Sequence, residues 1–366
     1  MRRRGAPVVT GGKGRGAAAN PPPRYAAWQR HPWDDGWGGG PEPPPPTELR
    51  PERARGAIAR NDSPDLPFDR SVNPYAGCEH GCIYCYARPT HARHGLSPGL
   101  DFETRILYKA GLAEALRREL AAPGYRCAPV ALGANTDPYQ PVERRLGITR
   151  AVLEVLAAHH HPVMVTTKSA LVERDLDLLA PMAGRGLAQV ALSLATLDAD
   201  LARRLEPRAA SPRRRLQAMA RLAAAGVPVG VLVAPVIPAL TDHEIERVLA
   251  AAREAGAAFA GYVLLRLPGE VAALFEDWLA RHRPAAARHV LSQLRACRGG
   301  GLTDGRFGAR MTGQGERARL IGRRFELAAR RLGYGAPPSL DCSRFRPPGG
   351  RQLALFEGGS AGGAGL

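Results

Sequence analysis

Three of the six cysteines stand close together in one stretch of sequence, SVNPYAGCEHGCIYCYARPTH, residues 71–91. Cys78, Cys82 and Cys85 have the spacing C-x3-C-x2-C. Thiolates bind soft metals such as zinc, Cu(I) and the irons of iron–sulfur clusters. A cubane cluster has four irons to ligate, so three thiolates on a tight loop can leave one iron open to an outside ligand. The spacing therefore indicates metal chemistry rather than a structural staple.

A zinc knuckle is the alternative interpretation of these cysteines. Structural zinc sites have four ligands and can mix Cys with His, and His80 or His91 could supply the fourth. No second Cys or His pair follows at the spacing of a zinc finger, which favours the cluster.

The motif C-x3-C-x-Φ-C, with Tyr84 at the aromatic position Φ, resembles the cluster loop of the radical S-adenosylmethionine (SAM) superfamily. The longer stretch NPYAGCEHGCIYCYARPTH resembles a bacterial subgroup related to spore photoproduct lyase and described as "DNA repair photolyase-like". By pattern order the resemblance covers roughly residues 65–345. It implies a 4Fe-4S cluster on the three cysteines, whose open iron binds the amino and carboxylate groups of SAM. Reductive cleavage of SAM would then give a 5′-deoxyadenosyl radical.

Composition bears on partners and location. A chain of 366 residues with a formal net charge of +17 has nucleic acid as its obvious partner, since Lys and Arg neutralise phosphates. Abundant Ala, Gly, Pro and Arg offer a second explanation, because GC-rich coding produces them without selection for binding. No apolar run is long enough to span a bilayer, and no apolar segment follows MRRRGAP as in a secretory signal. An oxygen-sensitive cluster suits a reducing interior, so we expect a cytoplasmic protein without a membrane partner.

The composition divides the chain into four regions. The Pro- and Gly-rich arm at the start is expected to be disordered, and the tail at the end to be flexible. The predicted regions are a disordered arm (1–62), a core barrel (63–268), a helical C-terminal extension (269–345) and a flexible tail (346–366).

Short apolar runs alternate with amphipathic windows from about residue 70, which predicts an α/β fold with a parallel sheet. The predicted strands are Ser71–Ala76, Ala128–Ala134, Pro162–Thr167, Ala188–Leu194, Val227–Ala234 and Phe259–Leu265. The predicted helices are Lys109–Leu120, Gly147–Ala158, Leu171–Met182, Ala199–Leu205, Pro212–Ala225 and Thr241–Ala255. Six such units fit the partial (β/α)6 barrel that the resemblance implies.

Loops at the carboxyl ends of parallel strands carry the chemistry in such folds. After the second predicted strand come Asn135, Thr136 and Asp137, which offer donors and acceptors. In the superfamily this loop contacts the amino group of SAM, so these three are cofactor-binding candidates. An Asx turn that closes the strand end explains them equally well.

Two further candidates follow the third and fourth strands. Lys168 would offer a positive charge to a carboxylate or phosphate, and a solvated lysine at a helix start is the alternative. Ser193 stands where the superfamily often places a hydroxyl against SAM, and a helix-capping serine is the alternative. An arginine in the basic segment 203–215 could reach the cofactor carboxylate or a phosphate.

The sequence departs from spore photoproduct lyases at one position. Those enzymes carry a hydrogen-donating cysteine at the end of the second strand, where this chain has Ala134. Cys127 precedes the strand and is interpreted as a small buried hydrophobe. Tyr86 is the candidate for a hydrogen-atom relay, and packing beside the cluster is its alternative.

The tail contains Gln352-Leu353-Ala354-Leu355-Phe356, which resembles the QLxLF peptide of proteins that dock on the bacterial sliding clamp. Leu355 and Phe356 would fill apolar pockets, with Leu353 beside them, and Gln352 would fix the register. The alternative is a short apolar segment that folds back onto the barrel.

Three hypotheses follow. The first is a radical SAM enzyme that acts on DNA, on a lesion or a modified base, with an electron donor such as flavodoxin or ferredoxin. The second keeps the radical chemistry but acts on tRNA, a peptide or a metabolite. The third is a non-catalytic metal-bound DNA adaptor recruited by the clamp.

Overall fold

The computed structural model describes residues 14–25 and 45–348. Within these ranges the strands are β1 (Glu48–Arg53), β2 (Ile58–Arg60), β3 (Arg70–Val72), β4 (Tyr75–Ala76), β5 (Arg105–Ala110), β6 (Val130–Leu132), β7 (Val163–Thr167), β8 (Ala188–Ser193), β9 (Val229–Val236) and β10 (Phe259–Leu264). The α-helices are α1 (Asp101–Thr104), α2 (Leu112–Leu120), α3 (Glu143–Leu146), α4 (Ile148–Ala158), α5 (Leu176–Ala183), α6 (Ala199–Leu205), α7 (Pro212–Ala224), α8 (Ile245–Glu254), α9 (Val271–His282), α10 (Pro284–Ala296), α11 (Ala309–Thr312) and α12 (Gly315–Arg331). Three 3-10 helices cover Arg88–His94, Ala170–Asp175 and Asp242–Glu244.

Seven strands form the main sheet, in the order β10-β9-β8-β7-β6-β3-β2. β3, β6, β7, β8, β9 and β10 are parallel to one another, and β2 runs antiparallel to β3 at the edge. Parallel neighbours need crossover connections, which the helices between them provide. The sheet remains open between its edge strands β2 and β10. The predicted partial (β/α)6 barrel is thereby confirmed.

The parallel strands are apolar because both their faces are covered. All six residues of β8 are buried, and the largest apolar cluster joins the sheet to the inner faces of α2, α4, α5, α7 and α8. A second apolar cluster lies beneath the cysteine loop and includes Ile83, Leu205, Leu265, Phe275 and Trp278. The cysteine loop therefore rests on a packed core.

The first predicted strand, Ser71–Ala76, is wrong as a single element. β3 joins the main sheet, whereas β4 pairs with β5 in a separate three-stranded sheet of order β1-β5-β4. The break falls at Pro74, which has no N–H to continue a ladder. The helix predicted from Lys109 begins only at Leu112, because the preceding residues form β5.

The predicted disorder of residues 1–62 is also wrong for the described part of that arm. β1 pairs with β5 and β2 with β3, and Ala17 and Ala18 are buried. Backbone pairing holds β1 and β2 in their sheets, and backbone N–H groups of residues 14–25 bond to Glu103, so this part of the arm is ordered although it has few apolar residues.

The C-terminal extension is helical through α12, as predicted. Residues 332–348 then lie against the amino ends of the strands, where Gly335 N donates to Ala258 O (2.9 Å) and Arg346 N to His159 O (2.9 Å). No helix in the described part of the chain is both long enough and apolar enough to cross a membrane.

Candidate active site

The cysteine loop follows β4 and is fixed to its surroundings by backbone hydrogen bonds. Cys78 N donates to Phe102 O at 2.8 Å, and Ile83 N donates to Leu205 O at 3.0 Å. The first bond joins the loop to α1 and the second to the end of α6. Since Tyr86 in the same loop contacts Ala134 after β6, the loop lies at the carboxyl ends of the parallel strands.

The three thiols are free and enclosed. Cys78 and Cys82 are buried, Cys85 is half-buried, and burial raises the pKa of all three thiols. Metal ligation needs thiolates, and their charge is costly in such surroundings unless bound iron compensates it. Three thiols on one rigid loop are the donor set of a cubane cluster with one open iron, so the residues present fit that group.

The two histidines proposed to complete a zinc knuckle each contact another residue, and the Nδ1 atom of each is buried without a hydrogen bond to a described residue. His91 Nε2 donates to Arg105 O (3.0 Å) and its ring packs edge-on against Phe102. His80 Nδ1 lies 3.3 Å from Asp137 Oδ2. Among the described residues, no three His, Cys, Asp or Glu side chains, the three loop cysteines included, are grouped to hold one metal ion. Neither histidine is therefore placed with the cysteines as the fourth ligand of a zinc ion.

A fully buried arginine holds the back of the loop. The Arg88 guanidinium donates to Cys82 O (2.9 Å) and Gly81 O (3.1 Å), and also to the carbonyls of Pro98 and Gly99. Nη2 forms an ion pair of 2.5 Å with Glu103 Oε1. Because four backbone carbonyls accept its other hydrogen bonds, Arg88 fixes the path of the chain through the second cysteine.

Residues 14–25 form a segment, called here the N-terminal strap, that covers this ion pair. Gly16 N and Ala17 N each donate to the Glu103 carboxylate at 2.9 Å. A Cβ on Gly16 would lie 1.9 Å from Gly81 O, so only glycine permits this approach. At the far end of the strap, Arg24 pairs with Glu270 at 2.7 Å. The strap is therefore part of the wall around the cysteine loop.

A second buried network supports the other side of the loop. Glu206 accepts hydrogen bonds from the Tyr84 hydroxyl and from Arg215, and it pairs with Lys168 at 3.1 Å. Burial opposes the charge on Glu206, but Arg215 and Lys168 outweigh it and lower the pKa of this carboxyl to about 2. The aromatic residue before the last cysteine is thus tied to a carboxylate that carries charge at neutral pH.

Lys168 and Ser193 come together, and both alternative interpretations of them are wrong. Lys168 Nζ donates to Ser193 Oγ (2.6 Å) and to Ala234 O (3.2 Å), with its side chain only 17% exposed. It is therefore not a solvated lysine. Ser193 Oγ in turn donates to Ala234 O (2.9 Å), whereas Asp198 caps α6.

The three candidates after β6 have different surroundings. Thr136 Oγ1 donates to Tyr75 O (2.9 Å), and Asp137 accepts from Thr167 Oγ1 and Lys168 N, both at 2.7 Å. Burial opposes the charge on Asp137, but His80 and these donors lower its pKa. Asp137 also accepts from Tyr139 N at 2.9 Å, the pattern of an Asx turn. Asn135, which is half-buried, has no side-chain hydrogen bond to a described residue.

Tyr86 contacts Ala134, the residue that stands where spore photoproduct lyases have their hydrogen-donating cysteine. Its hydroxyl donates to the carbonyl of Ala134, and its side chain is 43% exposed. Cys127 lies at the opposite end of the sheet and is half-buried; burial and the neighbouring Cys342 raise its pKa to about 12.

Sequence reasoning missed Arg88, Glu103, Glu206 and the strap. Glu206 sits alone among arginines in the segment 203–215, and that isolation was the available signal. Arg215 is buried and donates to Glu206, Ser193 O and Ala210 O, so it is not an open cofactor ligand. The clamp-like residues Gln352, Leu353, Leu355 and Phe356 lie outside the described residues.

Residues 72–252 match the model of the radical SAM superfamily. The chain has a radical SAM domain. Members of this superfamily use a 4Fe-4S cluster and SAM, which agrees with the donor set found on the cysteine loop.

The chain is also similar in sequence to two uncharacterized proteins. An uncharacterized protein of Mycobacterium tuberculosis is 42% identical over 221 residues, which cover 60% of this chain and 65% of that protein. An uncharacterized protein of Methanocaldococcus jannaschii is 25% identical over 173 residues, 47% of this chain and 62% of that protein. The chain thus spans just under two thirds of the length of the mycobacterial relative.

Solved structures with the same fold include spore photoproduct lyase complexed with dinucleoside spore photoproduct, at a TM-score of 0.57 and 15% identity. A mutant of that enzyme with bound AdoMet and the same dinucleoside gives a TM-score of 0.57 at 16% identity. Each match covers 78% of this chain and 80% of the other. At this identity the likeness establishes the fold.

Proposed function

We propose that Cys78, Cys82 and Cys85 bind the 4Fe-4S cluster of a radical SAM enzyme that acts on DNA, on a lesion or a modified base. The cluster part of this proposal rests on the presence of three enclosed thiols on one loop, at the carboxyl ends of six parallel strands, in a radical SAM domain.

A 4Fe-4S cluster and SAM, when bound, would supply a 5′-deoxyadenosyl radical with one electron from a donor such as flavodoxin or ferredoxin. The residues of the chain would bind and orient the cofactor. Lys168 offers a positive charge for the cofactor carboxylate, and Ser193 offers a hydroxyl. The three ammonium protons of Lys168 have acceptors in Ser193, Ala234 and Glu206, so a carboxylate would replace one of them. Asn135 offers an amide without a described side-chain partner.

Two features support DNA as the substrate. The chain has a net charge of +17, which favours a polyanion. Spore photoproduct lyase, whose fold it shares, has been solved with a dinucleoside photoproduct bound. Because Ala134 replaces the hydrogen-donating cysteine, we do not propose reversal of that same photoproduct through a thiol. Tyr86, bonded to Ala134 O, is the proposed hydrogen-atom relay.

The test is made on anaerobically reconstituted protein with reductant and SAM. Undamaged DNA, ultraviolet-irradiated DNA, tRNA and a peptide are compared as additions. We expect DNA alone to raise 5′-deoxyadenosine above the substrate-free level, with a new nucleoside in the digested DNA by mass spectrometry. Stimulation by tRNA or by the peptide instead would favour the second hypothesis. If SAM stays intact under every condition, the third hypothesis, a non-catalytic metal-bound DNA adaptor, would be favoured.

Two further proposals complete this function. The tail residues Gln352, Leu353, Leu355 and Phe356 dock on the bacterial sliding clamp, which would bring the enzyme to DNA. Clamp binding unchanged by Leu355→Ala with Phe356→Ala would contradict this docking. We also infer a cytoplasmic location, because an oxygen-sensitive cluster needs reducing surroundings.

A further inference from the structure

Arginines gather at the carboxyl end of β10, the sixth parallel strand. Arg266 follows this strand after one residue, and Arg298 and Arg310 are its charged neighbours. Arg298 is buried, and its guanidinium donates to the carbonyls of Leu264 (2.6 Å) and Leu265 (3.0 Å). Arg298 thereby fixes the end of the strand from which Arg266 projects.

The carboxylate nearest to this group is already in use. Asp65 accepts from Arg310 Nε at 2.6 Å and from Gly308 N at 2.8 Å. Arg298 has only carbonyl acceptors among the described residues. No hydrogen bond joins the Arg266 guanidinium to any described residue. The charge of Asp304 also acts on Arg298, but this carboxylate is paired with Arg306 at 2.8 Å. The nearby carboxylates are thus already in use, and Arg266 has the unused donors.

Arg266 lies beside the cysteine loop. Its guanidinium carbon is 4.8 Å from the centre of the Tyr86 ring, and Tyr86 directly follows the proposed cluster ligand Cys85. The Tyr86 hydroxyl reaches Ala134 O after β6, so the pair lies between the carboxyl ends of β6 and β10, the second and sixth parallel strands in chain order. Stacking on the ring holds the guanidinium plane in place but leaves its edge donors available.

The surroundings oppose this positive charge. Burial and the charge of Arg310 lower the pKa of Arg266, and burial with the charge of Arg266 lowers that of Arg298 to about 10. Enclosed cations that outnumber their counter-charges are costly, so a bound anion would stabilise this region. A guanidinium with free donors on one edge matches the paired oxygens of a phosphate.

We propose that Arg266 binds a phosphate group of the DNA substrate at the edge of the active site, with its guanidinium held in place by the Tyr86 ring. This proposal rests on the proposed function, since it names the contact that places DNA over the cysteine loop. A carboxylate would suit the same donors, and SAM carries one. The experiment separates the two sources.

The probe is a fluorescein-labelled single-stranded oligodeoxynucleotide of about ten nucleotides, a site size typical of one binding module. Its affinity for the reconstituted holoprotein is measured by anisotropy at several salt concentrations, without reductant. SAM affinity and iron content are measured in parallel. The variants are Arg266→Gln, Arg266→Lys and the control Arg118→Gln, whose side chain is 62% exposed on α2. An oligoribonucleotide of the same sequence serves as the comparison ligand.

We expect Arg266→Gln to weaken DNA binding by about tenfold and to reduce the salt slope by about 0.7, as for one lost phosphate contact on a single strand. Arg266→Lys keeps the charge and should lose less, and Arg118→Gln should change affinity less than about twofold. Iron content and SAM affinity should stay at wild-type values in all three.

Three results would overturn the proposal. DNA affinity and salt slope unchanged in Arg266→Gln would exclude a phosphate contact. Weaker SAM binding with unchanged DNA binding would assign Arg266 to the cofactor. Tighter wild-type binding of the oligoribonucleotide, lost in Arg266→Gln, would assign the contact to RNA. Because binding is measured without turnover, a failure here is distinguishable from a failure of the radical chemistry.

Discussion

Arg88 and Glu103 form an ion pair of 2.5 Å in which neither side chain is exposed to solvent. The guanidinium also holds four backbone carbonyls, two of them in the cysteine loop, and the carboxylate receives two N–H groups of the strap. Removing one partner of a buried pair leaves an uncompensated charge, which is more damaging than exchanging both for apolar residues. The cysteine loop and the N-terminal strap therefore depend on the same pair of residues.

Arg88→Ala should lower the free energy of unfolding by about 3–5 kcal/mol, because Glu103 and four carbonyls lose their donor. Iron bound after reconstitution should fall with it, since Cys82 O is one of those carbonyls. Denaturant titration and iron analysis measure the two effects. Arg118→Ala, at an exposed position, is the control and should stay within about 0.5 kcal/mol of wild type. Full stability and full iron in Arg88→Ala would show that the loop holds its shape without this residue.

Gly16→Ala should detach the strap, because the new Cβ would lie 1.9 Å from Gly81 O. Glu103 would then lose the N–H groups of Gly16 and Ala17. We expect faster cleavage by trypsin after Arg24, which a docked strap protects. Gly305→Ala is the matched control, since a Cβ there meets no atom within 4 Å. Equal cleavage rates in the two variants would contradict the tight contact between Gly16 and Gly81.

Lys168→Gln should slow 5′-deoxyadenosine formation by about ten- to a hundredfold, the loss expected for a charge-assisted hydrogen bond to the cofactor. Iron content should not change, because Lys168 contacts Tyr84 and Glu206 rather than a cysteine. Chromatography of 5′-deoxyadenosine at several SAM concentrations measures the effect. Lys109→Gln is the control at the other described lysine. An unchanged rate in Lys168→Gln would remove Lys168 from the proposed cofactor contacts.

Glu206 should stabilise the fold in a pH-dependent way. Its pKa of about 2 lies below its ordinary value of 4.5, so its contribution is complete above about pH 4.5 and is lost as the pH falls toward 2. At pH 7, Glu206→Gln should be less stable than wild type by roughly 2–3 kcal/mol, because Gln resembles the protonated acid. The difference should shrink between pH 4.5 and pH 3 in denaturant titrations of cluster-free protein. A stability difference between wild type and Glu206→Gln that is constant with pH would show that the charge of Glu206 does not stabilise the fold.

Local patterns predicted the parallel strands because a buried strand is mostly apolar, as Val229–Val236 is. They placed Lys168 and Ser193 at the carboxyl ends of neighbouring strands, and the structure brings the two side chains together. The role of both residues in cofactor binding stays a prediction. Local patterns failed where contacts join distant segments. The residues around Arg88 in the sequence do not indicate its contact with Glu103 or the contact of Glu103 with Gly16. The Pro- and Gly-rich composition of the arm predicted disorder where the structure has the strap. The division of Ser71–Ala76 between two sheets likewise depends on β5, which pairs with β4 from outside the main sheet.

The central claim is that Cys78, Cys82 and Cys85 hold a cluster that cleaves SAM. The most direct measurement counts iron and sulfide in anaerobically reconstituted wild type, Cys82→Ala and Cys297→Ala, and then assays 5′-deoxyadenosine after reduction with SAM. Cys297 is a buried free cysteine outside the loop and serves as the matched control. We predict about four irons per chain and 5′-deoxyadenosine in wild type and Cys297→Ala, and neither in Cys82→Ala. Stoichiometric zinc with no cleavage of SAM in wild type, or full activity in Cys82→Ala, would contradict the account.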